Sequence, residues 1–166
     1  MRGKARVLLL AATCLIPTAC ITGFKGPLGP VEEAFIEPNL IGNWACSSED
    51  DPTPSALKIM DFDGKQYFFE SANGKGEPAR LRALGHRIED VTFLSLGDLG
   101  KKDDEWIVLA YALSDADHLS FRVLDATPFE DVLDDAPSVK QRLAEQMNDP
   151  EILVNLLSCT RARPQG

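Results

Sequence analysis

Residues 56–70, "ALKIMDFDGKQYFFE", contain two strand-like segments separated by a tight turn, and they decide the fold. Residues 56–62 are mostly apolar and lead into Asp63-Gly64, a dipeptide suited to the positive φ of a tight hairpin turn. Residues 66–70 follow directly and are rich in aromatic side chains, which favour strands. We therefore expect these two segments to pair as antiparallel neighbours.

Similar short segments, separated by turns, lie on both sides of this hairpin. Residues 40–46 precede it, and residues 79–84 follow it after a turn predicted at 73–76. The segment 106–113, "WIVLAYAL", is apolar on both faces, which is typical of a central strand. Further strands are predicted at 91–96 and 119–124. Short strands in this regular succession, with no helix between them, indicate an antiparallel meander forming a small barrel or a sandwich.

Near the C-terminus the pattern changes to that of a helix. A capping box with proline in the first helical position predicts a short helix at 127–130. A second capping box at 138–141 begins an apolar stripe of period four and predicts a helix over 138–148. A last strand is predicted at 156–162. The expected fold is therefore mainly β, a small antiparallel barrel with one or two short helices before the last strand, over residues 39–163.

The N-terminal segment has the organisation of a secretory signal. Residues 1–6 carry three cations and no acid, and residues 7–16 are uncharged and apolar. This apolar run is too short to span a bilayer, which needs roughly 20 residues. Thr18-Ala19-Cys20 then resembles a bacterial lipobox, which implies that residues 1–19 are removed and that Cys20 is lipidated. The alternative is a soluble secreted protein with an unmodified Cys20.

Residues 20–38 join this expected anchor to the domain. They are rich in glycine and proline without a repeating pattern, a composition typical of a weakly ordered linker. We predict a lipidated cysteine followed by a flexible tether, in which some of Val31, Phe35 and Ile36 dock on the domain.

The remaining cysteines predict a disulfide. Once the signal is removed and Cys20 is modified, Cys46 and Cys159 have only each other, in a compartment that is oxidising. Their bridge would close nearly the whole domain and stabilise it by about 4–5 kcal/mol in the chain-entropy model. A zinc site would need His86 and His118 to join these cysteines, and none of the four has the spacing of finger or ribbon ligands. We predict no metal and no cofactor.

The charge of the chain excludes one class of partner. The formal charge is −9, and because residues 1–19 carry three cations and no acid, it becomes −12 after their removal. Acids cluster at residues 49–51, 103–105, 130–131 and 134–135, and there is no basic patch. Such a surface repels phosphate backbones, so nucleic acid is not expected as a partner, whereas a cationic partner would be attracted.

Gly42-Asn43-Trp44 resembles the Gly-x-Trp opening of lipocalin-type barrels. In that family, an arginine on a late strand lies over the tryptophan and closes the barrel floor, which here implies Arg161 or Arg163. Side chains alternate along a strand, so a Cys46–Cys159 bridge would put Trp44 and Arg161 on the same side. We therefore expect Gly42, Trp44 and Arg161 to form a structural floor. The group that the chain resembles is the small bacterial envelope lipoproteins with lipocalin-like barrels.

No catalytic motif is present in the sequence, and we predict that the protein is not an enzyme. His86 is near Glu89 and Asp90 in sequence, but two histidines in a chain of this length do not indicate catalysis. The first expectation for function is a barrel that binds a small apolar ligand, lined by Tyr67, Phe69, Tyr111 and Phe121. The second is an envelope interaction or inhibitor lipoprotein that uses its acidic surface. The expected location is the outer membrane, lipid-anchored and facing the periplasm, or else secreted and soluble.

Overall fold

The computed structural model describes residues 23–72, 77–99 and 105–163, which form a closed eight-stranded antiparallel barrel. Each strand pairs with the next along the chain, and the last strand pairs with the first. The strands are β1 (Gly42–Ser47), β2 (Ser55–Asp61), β3 (Gln66–Ala72), β4 (Ala79–Ile88), β5 (Val91–Asp98), β6 (Ile107–Leu113), β7 (His118–Leu124) and β8 (Leu153–Arg161). The predicted antiparallel barrel is therefore confirmed, and the sandwich is excluded.

The hairpin of β2 and β3 is made by local turn chemistry. Gly64 has φ +79°, a conformation that glycine adopts without steric cost. The Asp61 carboxylate accepts a hydrogen bond from the Gly64 amide at 2.6 Å, and the Asp63 carboxylate accepts one from the Gln66 amide at 2.7 Å. These bonds fix the register of the pair, as expected from the sequence. The turn predicted at 73–76 lies outside the described residues.

The barrel has two different ends. We call the end where β1 begins and β8 finishes the floor end, and the opposite end, where β7 connects to β8, the helix end. The 28 residues of that connection include a 3-10 turn (Thr127–Phe129) and one helix, α1 (Ala136–Gln146). Among the described residues, no helix is long and apolar enough to cross a membrane.

The helix α1 begins two residues earlier than the sequence predicted. Its N-cap is Asp135, with Pro137 in the first turn, and the hydroxyl of Ser138 donates to the Asp135 carboxylate. Ser138 therefore lies inside the helix, because the proline fixes a helical φ just before it. The predicted stripe is present, since Val139 and Leu143 are buried.

Buried apolar side chains form two cores, one on each side of the barrel wall. The inner core lies inside the barrel and includes Trp44, Tyr67, Phe69 and Phe121. The outer core lies between the outer surface of β4–β6, the helix α1 and the N-terminal segment. Both surfaces of the central strands are therefore covered, which explains why residues 106–113 are apolar on both faces.

Residues 23–41, which we call the strap, run along the outer surface of the barrel and end at the floor, where Leu40 belongs to the inner core. The sequence predicted a flexible tether up to residue 38, but Phe24, Leu28 and Ala34 are each 2% exposed or less and belong to the outer core. The strap docks because it covers apolar positions on β4–β6 that would otherwise meet water. Of the three residues from which docking was expected, Ile36 packs against the inner core and Phe35 donates its amide hydrogen to the Gly85 carbonyl at 3.1 Å, whereas Val31 is exposed. The predicted signal, Cys20 and the start of the predicted tether lie outside the described residues.

Candidate functional site

The floor end is closed by a stacked tryptophan and arginine. The guanidinium carbon of Arg161 lies 4.2 Å from the centroid of the Trp44 ring, and the tryptophan is 1% exposed. The indole N–H of Trp44 donates to the carbonyl of Leu40 at 3.0 Å. A guanidinium over an indole face contributes about 0.5–2 kcal/mol, depending on burial. The strap, the first strand and the last strand therefore meet at this ring.

Arg161 also donates three hydrogen bonds to the backbone of two other segments, the end of the strap and the β6–β7 turn. Its Nη1 and Nη2 atoms donate to the carbonyls of Ile41 and Asn39, at 3.1 and 2.8 Å, and its Nε donates to the carbonyl of Ala116 at 2.7 Å. Gly42 is required here, because it has φ +149° and a Cβ atom would lie 2.5 Å from Nη1 of Arg161. The floor is thus fastened by hydrogen bonds as well as by packing.

The disulfide predicted from cysteine counting is confirmed. Cys46 and Cys159 are bonded and lie directly opposite each other in the β1–β8 register. Trp44 and Arg161 are also opposite each other in that register, two residues away. The bridge joins two residues that are 113 apart in the sequence, across the β1–β8 pair that closes the barrel.

The four aromatic residues predicted to line a ligand site come together inside the barrel. The rings of Tyr67 and Phe69 pack edge to face with centroids 6.2 Å apart, and Phe69 and Phe121 do so at 6.5 Å. The Tyr67 hydroxyl accepts a hydrogen bond from the backbone amide of Glu37 at 2.6 Å and also bonds to Tyr111. Burial raises the pKa of both tyrosines, so both hydroxyls stay protonated at neutral pH. Tyr67, Phe69 and Phe121 are almost fully buried.

The helix end of the inner core has a different surface. Several apolar side chains there pack on the inner core but are only partly buried: Leu81, Ile107, Val123 and Leu156. Val154, which pairs with Val123 across β7 and β8, is 52% exposed. We call these five residues the entrance. Sequence analysis did not single them out, although the alternation along each strand was the signal that places Leu81 and Val123 on the inner face.

Two buried polar side chains on the outer wall, His86 and Ser95, hold the strap by its backbone. The Ser95 hydroxyl accepts a hydrogen bond from the Leu28 amide at 3.0 Å. The Nε2 atom of His86 lies 3.1 Å from the carbonyl of Pro30 and donates to it in the matching tautomer. Both side chains are at most 3% exposed, so their hydrogen bonds are shielded from water.

His86 does not pair with the carboxylates that follow it in sequence. Glu89 and Asp90 lie exposed in the β4–β5 turn, and His86 Nδ1 is buried with no hydrogen-bond partner in the described part of the chain. Burial lowers the pKa of His86, the hydrogen bond to the Pro30 carbonyl opposes this shift, and the nearby charges of Lys140 and Glu33 lower and raise the pKa respectively. At neutral pH this imidazole is therefore uncharged, and its contact with the Pro30 carbonyl is a structural one.

A surface groove of about 570 Å³ separates the strap from the helix α1. Its walls are apolar except for Glu33 and Lys140, and are made by Pro27, Leu28, Gly29, Pro30, Ala136 and Pro137. Within the described ranges, no three His, Cys, Asp or Glu side chains are close enough to hold a metal ion. His118 is exposed and contacts Asp115 at 2.8 Å.

Comparison with known proteins does not place this chain in a family. No family model matches the chain, and no curated protein and no solved structure matches it either. The class of protein is therefore defined by the structure alone: a closed antiparallel β-barrel with a tryptophan–arginine floor and an external strap.

Proposed function

We propose that this protein is a lipocalin-like lipoprotein of the cell envelope that binds a small apolar molecule inside its barrel and catalyses no reaction. The observation that carries the proposal is the difference between the two ends of the barrel. Arg161 fastens the floor end with three backbone hydrogen bonds and a stacked ring. The helix end presents partly buried apolar side chains. A ligand would therefore enter from the helix end.

The chemistry of the inner core supports an apolar ligand. Its side chains are aliphatic and aromatic, and its polar groups include the hydroxyls of Tyr67 and Tyr111 near the floor. Ligand sites of this kind combine a mostly apolar lining with a few polar groups that orient the molecule. The Phe69 and Phe121 rings lie between the entrance and the floor, and they would move apart or stack on the ligand.

The binding test uses 1,6-diphenylhexatriene, a neutral apolar probe whose fluorescence rises on leaving water. Val123→Lys places an ammonium at the entrance and should weaken probe binding by roughly tenfold or more, because a charge among apolar side chains is costly. Phe62→Ser is the matched control, since Phe62 is 67% exposed in the turn at the floor end. Circular dichroism checks that both variants fold. Equal loss in both, or no binding by the unaltered protein, would contradict the proposal.

The lipid anchor is tested separately by intact mass. Thr18-Ala19-Cys20 after the signal core supports a mature chain that begins at a lipidated Cys20. The Cys20→Ser variant should then differ from the unaltered protein by the mass of the lipid and should lose its membrane association. Equal masses, apart from the substituted atom, together with equal solubility would exclude lipidation.

A protein partner is the second candidate function, and the acidic surface favours it. A net charge of −12 after signal removal would steer a cationic protein towards the barrel. The apolar groove between the strap and α1 offers such a partner a contact surface beside Lys140 and Glu33. Native mass spectrometry of protein purified from its own host separates the two functions, because it records a bound small molecule or a bound chain by mass.

A further inference from the structure

The strap places the N-terminal end of the described domain beside the entrance. Phe24 forms a short antiparallel bridge with Trp106, through amide-to-carbonyl hydrogen bonds of 2.8 and 2.7 Å. Trp106 directly precedes β6, and β6 begins at the helix end. Gly23 packs against Glu105, since a Cβ on Gly23 would lie 2.9 Å from that side chain. The chain therefore reaches the barrel at the helix end.

Because the strap is docked on the barrel, only a very short linker separates Cys20 from the folded domain. Cys20 precedes Gly23 by three residues, which span roughly 11 Å at most. If the strap were undocked, the chain between Cys20 and Ile41 would reach roughly 70 Å and the barrel would turn freely. Hydrogen bonds from the Leu28 amide to Ser95 and from the Phe35 amide to the Gly85 carbonyl prevent this.

We propose that the docked strap holds the helix end of the barrel against the membrane, and that the barrel exchanges its apolar ligand with that membrane. The inference rests on the proposed function, because it uses the lipid on Cys20 and the ligand site inside the barrel. Direct exchange avoids the transfer of an apolar molecule through water, which is unfavourable in proportion to the apolar area exposed. The substrate class is therefore a molecule dissolved in the bilayer.

Charge at the helix end indicates which membrane surface fits. The β1–β2 loop carries Glu49, Asp50 and Asp51, and the segment before α1 carries four more acids at 130–135, of which Asp131 pairs with Arg142. Arg80 and Arg82 lie near the start of β4 at the same end, so these acids remain in excess. Anionic headgroups would repel these groups at distances within about 10 Å. We therefore assign a neutral, zwitterionic headgroup layer as the surface that the helix end meets.

Orientation is measured on the lipidated protein in phosphatidylcholine vesicles that contain an acceptor dye on a small fraction of headgroups. A donor dye is attached at Asp50→Cys, on the helix end, or at Phe62→Cys, on the floor end, both exposed. The two positions are separated by the length of β2, about 20 Å. Energy transfer should be stronger from residue 50 and should fall when phosphatidylglycerol is added. Equal transfer from both sites, stronger transfer from residue 62, or a rise with phosphatidylglycerol would overturn the assignment.

Exchange is measured with 1,6-diphenylhexatriene supplied in phosphatidylcholine vesicles. A Gly/Ser insert of about twenty residues between Thr22 and Gly23 lengthens the linker and leaves the described barrel unaltered. It should slow the transfer of the probe to the barrel roughly tenfold, because effective concentration falls with linker length. An unchanged rate would overturn the inference.

The soluble Cys20→Ser protein separates the two proposals. It should bind the probe in water with the same affinity, whether or not the insert is present. If it binds no probe, the proposed function fails, whatever orientation the dyes report. If it binds the probe while the insert leaves the transfer rate unchanged, the proposed function stands and the membrane exchange is wrong.

Discussion

The replacement Trp44→Ala should destabilise the fold by about 3–5 kcal/mol, the usual cost of truncating a large buried aromatic residue. Trp44 is 1% exposed, so most of its surface, about 200 Å², is removed from water. At about 25 cal/mol per Å² this burial corresponds to about 5 kcal/mol, of which alanine recovers a small part. The Arg161 guanidinium loses its stacking surface, and the Leu40 carbonyl loses a donor. For a domain of this size, thermal melts should show a fall in Tm of about 10–15 °C.

The control for this prediction is Trp44→Phe. A phenylalanine keeps an aromatic face under Arg161 but has no N–H for the Leu40 carbonyl, which is left without that bond. The expected cost is about 1–3 kcal/mol, smaller than that of alanine. The reasoning also requires that folded Trp44→Ala protein still binds 1,6-diphenylhexatriene. An unchanged melting point together with lost probe binding would refute it and would make Trp44 a ligand contact.

Three further predictions concern the bridge and the strap. Reduction of the Cys46–Cys159 disulfide should cost about 4–5 kcal/mol by denaturant titration, and a non-reducing peptide map with both thiols free would contradict the bridge. Because burial lowers the pKa of His86, the unfolded chain binds its proton first, so stability should fall as pH drops below about 6.5. His86→Leu should flatten this part of the stability–pH curve, and an unaltered curve would show that other groups are responsible. Gly29→Ala should loosen the strap by about 1–3 kcal/mol and speed proteolysis within residues 23–38, since its Cβ would lie 2.7 Å from Nε2 of His86. Gly26→Ala is the matched control, because a Cβ there meets nothing within 4 Å, and equal cleavage of the two variants would disprove the contact.

Local features of the sequence were sufficient to predict the strands and the side-by-side placement of β1 and β8. The Asp63-Gly64 turn determines the β2–β3 hairpin through bonds that span only a few residues. Alternation along β1 and β8 puts Trp44 beside Cys46 and Arg161 beside Cys159, so one disulfide was enough to bring the ring and the guanidinium to the same side. Alternation also brought Tyr67 and Phe69 to one face of β3.

A barrel was expected from the sequence, but the tertiary structure alone decided the strand register at which the sheet closes, the course of the strap and the difference between the two ends of the barrel. Closure depends on the register of all eight strand pairs together, and no single segment of sequence carries that sum. The glycines and prolines at 23–38 have the composition of a free linker, yet Phe24 and Leu28 find an apolar wall made by strands far along the chain. The composition of a segment indicates whether it would be ordered by itself. Whether it docks depends also on the surface that the rest of the chain presents to it. For the same reason the buried state of His86 was invisible in the sequence, because it arises only when the strap covers β4.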